Sequence, residues 1–244
     1  MSKVKSHYDQ HLGPIYSWMT GGVPATIERA REELATLGVV AVRDRRSVDL
    51  GCGFGPHAVA LADLGYRVIA VDNCPALLQE LEAARDNRPI ETVLSDAADF
   101  PAACPAPVDL VLCMGDTLTH LATPEAVEKL FGDIKSCLAP GGRFIATFRD
   151  YCTAPLQGTS RFIPVRSDDH RILTAFLEYG EQHVMVHDIL QQRGPSGWET
   201  SVSAYPKLRL DPSLLAARLT EMGMPAEVGA AARGMVLLSA RLGE

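Results

Sequence analysis

The order of apolar and polar positions predicts parallel strands joined by helices. Ser47-Val48-Asp49-Leu50, Tyr66 to Val71, Thr92-Val93-Leu94, Val108 to Met114 and Arg143 to Phe148 are short, mostly apolar runs, the pattern of strands covered on both faces. Between them, Pro24 to Leu37 put Ile27, Ala30, Leu34 and Leu37 on one helical face, with Gly38 as the stop. Asn73 as cap and Pro75 as first residue open a helix with Leu77, Leu78, Leu81 and Ala84 inward. Thr123-Pro124-Glu125 opens another, carrying Val127, Leu130, Phe131, Ile134 and Leu138, and Pro140-Gly141-Gly142 ends it. Such alternation predicts an α/β, doubly wound, mostly parallel sheet.

After residue 150 the period changes to two. Arg171 to Tyr179, Gln182 to Gln191 and Trp198 to Arg209 are strand-like runs broken by Gly180-Glu181 and by Arg193 to Gly197, which predicts an antiparallel meander. His183, Met185 and His187 share one face of the second run, while Val184, Val186 and Asp188 share the other. Two histidines are too few for zinc, so no metal site is expected. Asp211-Pro212 opens a last helix closed at Gly223, and Gly234 to Leu242 forms a terminal strand that a short one near Glu227-Val228 can join. The expected organisation is a leader and ligand-binding core in 1–150, an antiparallel β insertion in 151–210 that caps the substrate, and 211–244 completing the core. The leader, residues 7–22, is aromatic, and Leu12, Ile15, Trp18 and Met19 have near-helical spacing. It can pack on the sheet, cover a ligand, or do both.

Strand ends carry the candidate chemistry. After Leu50, three glycines at Gly51, Gly53 and Gly55 turn the chain into a helix that Pro56 begins, with Asp49 just inside the strand. Asp72 ends the second strand, where an acid accepts hydrogen bonds from ribose hydroxyls. Gly53 to Ala58 also satisfies a degenerate dinucleotide fingerprint, and taken alone it leaves an NAD-type ligand open.

The run Val-Asp-Leu-Gly-Cys-Gly-Phe-Gly, Asp72, Asp96 after the third strand and Pro140 to Phe144 together resemble class I S-adenosylmethionine-dependent methyltransferases, over residues 45–150 and again at the C-terminus. The resemblance implies a seven-stranded sheet with S-adenosyl-L-methionine as cofactor. It sets Asp49, Gly51, Gly53, Asp72, Asn73, Asp96, Ala97 and Met114 around that molecule, with Tyr8 and Trp18 of the leader over it. Asp96 would accept from the adenine amino group and the Ala97 N–H would donate, although an acid after a strand is also a helix cap. Gly115 to Leu121, Phe148 to Tyr151, the β insertion and Ser203 to Pro206 look like glycine N-methyltransferase and related small-molecule amine methyltransferases. By that likeness Arg149 would grip a substrate carboxylate, with His120 and Tyr205 beside it. Asp116 and Thr117 stand where that family has asparagine and serine, which points away from glycine towards a larger amino acid or natural-product intermediate whose cationic amine Asp116 could attract. The catalytic candidates are Asp116, His120, Arg149 and Tyr205; His120 also reads as a structural histidine. Methylation of nitrogen is expected, with oxygen or sulfur methylation and an NAD(P)-dependent oxidoreductase as alternatives.

Composition narrows the partners. Thirty acids against 23 Lys and Arg in 244 residues give a net charge of −7, and Arg43-Asp44-Arg45-Arg46 is the longest basic run, so a small molecule is expected rather than nucleic acid. Six cysteines without a C-x-x-C pair read as reduced core residues of a cytoplasmic protein. No apolar run predicts a signal peptide or a membrane span. Oligomeric state is not readable from the sequence.

Overall fold

The structure is a computed structural model that describes residues 3–40, 45–104 and 107–243. Arg43 and Asp44 of the basic run, and residues 105 and 106 of the Ala/Pro-rich loop, lie outside the described residues.

The predicted alternation builds two layers of helix around one sheet. Strands β1 (Arg46–Leu50), β2 (Arg67–Asp72), β3 (Ile90–Leu94), β4 (Val108–Cys113) and β5 (Leu138–Phe148) run parallel. Successive side chains pass to opposite faces: Val68 and Ala70 of β2 pack with α3 (Val23–Thr36), α4 (Pro56–Asp63) and α5 (Pro75–Ala84), whereas Ile69 and Val71 belong to the cluster containing α6 (Pro124–Cys137). Both faces being covered is the reason these strands read as apolar runs. The chain opens with two short helices, α1 (Lys3–His7) and α2 (Tyr16–Thr20), joined by irregular helical turns.

Four strands, β6 (Phe162–Ser167), β7 (Arg171–Tyr179), β8 (His183–Gly194) and β9 (Gly197–Leu208), form a separate antiparallel sheet in the order β6-β7-β8-β9. Helix α7 (Pro212–Glu221) then returns to the core, capped by Asp211, which accepts from Ser213 and Leu214. Strands β10 (Ala226–Ala230) and β11 (Val236–Arg241) complete the large sheet in the order β10-β11-β5-β4-β1-β2-β3, with β11 antiparallel to β5. Strand order reverses between β1 and β4, and the crevice beyond their carboxyl ends is where such sheets hold ligands.

Three expectations need correction. The insertion has four strands rather than three: β6 contains Pro164 and a register shift beside it, so this edge strand lacks a clean alternation. Pro140-Gly141-Gly142 does not end a helix ahead of a strand, because β5 begins at Leu138; the register jumps from Val108↔Leu138 to Leu110↔Arg143, absorbing the turn as an irregularity within the strand. Asn73 does not cap α5, whose capping position is Cys74, its N–H held by the Asp72 carboxylate at 2.8 Å.

Candidate active site

Local geometry around the glycine loop follows from crowding. Gly51 and Gly55 have φ of +65° and +77°, and a Cβ at either would run into Thr117 or Leu81. The loop can therefore lie flat between β1 and α4. Asp72 accepts from the Gly53 N–H and the Cys74 N–H, both at 2.8 Å, which fixes its carboxylate at the rim. Burial raises its pKa against these hydrogen bonds.

Two cavities meet over this loop. One encloses about 730 Å³ and is lined by Tyr8, Tyr16, Gly51, Gly53, Asp72, Asn73, Asp96, Ala97, Met114 and His120 among others. The second, about 1240 Å³, opens between the core and the inner face of the β insertion. Tyr8, Tyr16, Gly51, Gly53, Met114 and Gly115 line both, so the two spaces communicate there.

In the first cavity Asp96 is a helix cap and also part of the lining. Its Oδ1 accepts from the Ala98 N–H at 3.0 Å, while Oδ2 takes the Asn73 amide at 3.3 Å. His120 lies between Tyr8 and Tyr205, ring centroids 5.5 and 5.7 Å away; it is partly buried, and its buried Nε2 has no hydrogen-bond partner. Burial and the nearby Lys207 charge push its pKa down to about 3, so the ring is neutral. Asp49 is 1% exposed and its Oδ2 also lacks a partner; burial lifts its carboxyl to about 6. It touches the second cavity rather than the first.

The second cavity is organised by an ion pair. Asp116, in a left-handed turn with φ of +83°, receives at its carboxylate the Lys207 ammonium, the Arg149 backbone N–H at 2.9 Å and the Tyr151 hydroxyl at 3.3 Å, while the Thr119 hydroxyl donates to its backbone carbonyl at 2.7 Å. Burial opposes ionisation of both partners, yet Lys207 holds Asp116 below the usual carboxylate range and Asp116 holds Lys207 above the usual ammonium range. Asp116 is thus saturated by this chain's own donors. The Arg149 guanidinium reaches to 3.9 Å of the same carboxylate and is half exposed to the cavity. Tyr205 lies under Lys207, whose Nζ is 5.6 Å from the ring centroid, and stacks on His7 at 4.1 Å.

The leader both packs and covers. Lys5 donates to the Asn73 carbonyl at 2.6 Å and pairs with Asp9 at 2.9 Å, which brings Val4 and Tyr8 over the first cavity. His7 is buried between Asp188 Oδ2 at 3.0 Å and Ser203 Oγ at 2.8 Å of the β insertion. Trp18 lines neither cavity: its indole donates to Asp168 at 2.6 Å and lies under the Arg171 guanidinium at 4.4 Å, clamping leader to insertion.

The structure therefore gathers Tyr8, Gly51, Gly53, Asp72, Asn73, Asp96, Ala97, Met114 and His120 at one cavity and Asp49, Asp116, Arg149 and Tyr205 at the other. Sequence reasoning passed over Tyr16, Tyr151, Lys207, and the His7–Asp188 pair. Lys207 had a signal, since it shares strand phase with Tyr205 and so points inward. His187 pairs across strands with Glu178 at 3.0 Å. No group of metal-ligating side chains occurs among the described residues, and no helix among them is long and apolar enough to cross a membrane.

Comparison with known proteins bears on this geometry. Residues 48–142 match a family described as a methyltransferase domain. The chain is 36% identical over 113 residues to a cypemycin N-terminal methyltransferase of Streptomyces sp, covering 46% of this chain and 44% of that protein. Over 111 residues it is 32% identical to a ubiquinone biosynthesis O-methyltransferase of Xylella fastidiosa, covering 44% of each. A glycine/sarcosine N-methyltransferase of Aphanothece halophytica is 29% identical over 109 residues, 44% of this chain and 41% of that one. The match thus spans less than half the length of these relatives. Among solved structures, the CcbJ methyltransferase of Streptomyces caelestis superposes with a TM-score of 0.78 at 20% identity, covering 98% of this chain and 99% of that one, which shows a shared fold.

Proposed function

We propose that this chain, which carries a class I S-adenosylmethionine-dependent methyltransferase domain on that fold, methylates a nitrogen of a small, carboxylate-bearing molecule. The observation that carries the reading is the pair of communicating cavities. One has the acid, amide and glycine lining suited to a nucleoside, and the other holds the Arg149 and Lys207 cations beside the single Asp116 carboxylate.

The lining fits the donor on its own terms. Asp72, fixed by two loop amides, keeps acceptor capacity for ribose hydroxyls, Asp96 and Ala97 stand at the adenine end, and the unpartnered His120 Nε2 offers a further polar contact. When bound, S-adenosylmethionine supplies a methyl group on a positively charged sulfur. This chain then has to align and dry the reacting space, which Tyr8, Tyr16 and Met114 do at the junction of the cavities. Arg149 and Lys207, with Asp116 cancelling one charge, leave about one net positive charge for an acceptor carboxylate. Because Asp116 is saturated, it is not the group that takes a proton from an ammonium acceptor; an amine arriving neutral needs no protein base.

Release of S-adenosylhomocysteine across amino acids, amines, phenols and thiols, with the methylated atom located by mass spectrometry, tests the reading. Oxygen methylation, the activity named for the Xylella relative, is the alternative outcome. With an acceptor in hand, Arg149→Ala should raise apparent acceptor KM at least tenfold and leave donor affinity within twofold; equal loss of both would mean that Arg149 is structural.

A further inference from the structure

The inner face of the β insertion is electrically uneven along its strands. Register pairs Asp188 with Ser203, Val186 with Tyr205 and Val184 with Lys207, so Asp188 and Lys207 lie on one face, four residues apart along the ladder. At roughly 3.3 Å per residue this is about 13 Å along the strands. Both line the second cavity, with Val186 and Tyr205 between them.

The two ends have different surroundings. Lys207 faces Asp116, Tyr151 and Arg149, two cations to one carboxylate. Asp188 is 4% exposed and contacts an imidazole rather than an ammonium or guanidinium: with Nε2 protonated, His7 donates to Asp188 Oδ2 and accepts from Ser203 at Nδ1. With the imidazole neutral, the Asp188 carboxylate stands uncancelled against the cavity, held by the leader.

We propose that the acceptor cavity is bipolar, with a cation subsite at Asp188 and an anion subsite at Lys207 and Arg149, and that it takes an acceptor whose amine-type cation and carboxylate are held apart. The inference deepens the methyltransferase reading and rests on it for the word acceptor; the ion subsites themselves do not. An α-amino acid as short as glycine cannot span the two poles. His7 is a positioning residue for Asp188, and leader docking thereby becomes part of acceptor recognition.

The test uses the whole chain saturated with S-adenosylhomocysteine and titrated with methylammonium chloride and with sodium acetate, against sodium chloride and acetamide as controls, read by amide chemical shifts. Both ions should saturate, each without displacing the other. Asp188→Asn should weaken methylammonium at least tenfold and leave acetate within twofold. Arg149→Gln and Lys207→Gln should do the reverse, Arg149→Gln serving if the buried lysine variant does not fold. Competition between the ions, shifts no greater than the controls, or an Asp188→Asn protein that binds methylammonium like wild type would overturn the proposal. Failure of S-adenosylhomocysteine to bind would instead refute the methyltransferase reading, and the same titrations on the free chain would still decide the subsites.

Discussion

Replacing Lys207 with methionine keeps the side chain's length and removes its charge and donors. Asp116 is 3% exposed and Lys207 8%, so the variant leaves an enclosed carboxylate with neutral hydrogen-bond donors and only the half-exposed Arg149 guanidinium, 3.9 Å away, as a cation. Removing one partner of a buried pair typically costs about 3–5 kcal/mol. Two hydrogen bonds to the carboxylate survive, from the Arg149 N–H and Tyr151, and the Arg149 guanidinium stays nearby, which places the expectation at the lower end, about 3 kcal/mol. For a chain of this length that lowers the melting temperature by roughly 6–12 °C. Urea denaturation of wild type, Lys207→Met, Asp116→Asn and the double variant would measure the coupling. The double variant should recover about 2 kcal/mol of the sum of the single losses. The sign of the pH dependence follows from Asp116, whose folded-state pKa is depressed. Its contribution is present above the unfolded carboxylate value of about 3.9 and fades as pH falls through the folded value, so the gap between wild type and Lys207→Met should narrow in acid. A Lys207→Met protein within 1 kcal/mol of wild type at neutral pH, or strict additivity in the cycle, would refute the reasoning.

Three more outcomes are expected. Asp72→Ala should weaken S-adenosylmethionine binding by calorimetry at least tenfold, about 1.4 kcal/mol, since it removes the rim carboxylate and unties two loop amides. Asp49→Asn should stabilise the free chain: with the folded carboxyl raised to about 6, the unfolded state holds fewer protons between about pH 4 and 6, so stability falls as pH rises through that window. The gain, about 3 kcal/mol at pH 8, should vanish near pH 4 in melts across that range. The His120 ring should show no titration by NMR between about pH 5 and 8, as its pKa near 3 requires; an inflection near the ordinary value of about 6.5 would mean that solvent reaches the ring.

Hydrophobic periodicity sufficed for the sheet and its helices because burial on two faces leaves an unbroken apolar signature, and proline and capping residues mark helix starts locally, as Pro56, Pro75 and Thr123-Pro124 do. The lining of the first cavity was equally legible, since Gly51, Gly53, Asp72 and Asp96 lie on a short loop and adjoining strand ends. Strand β6 was not, because Pro164 and a bulge erase its alternation. Nor was the second cavity. Lys207 meets Asp116 across 91 positions and His7 meets Asp188 across 181, and no local spacing records such pairings. The sequence left Asp116 open to a substrate's cationic amine; the tertiary fold supplies a cation of the chain's own, Lys207 of strand β9. Charge at a site is a property of everything packed against it, and the packing partners come from distant parts of the chain.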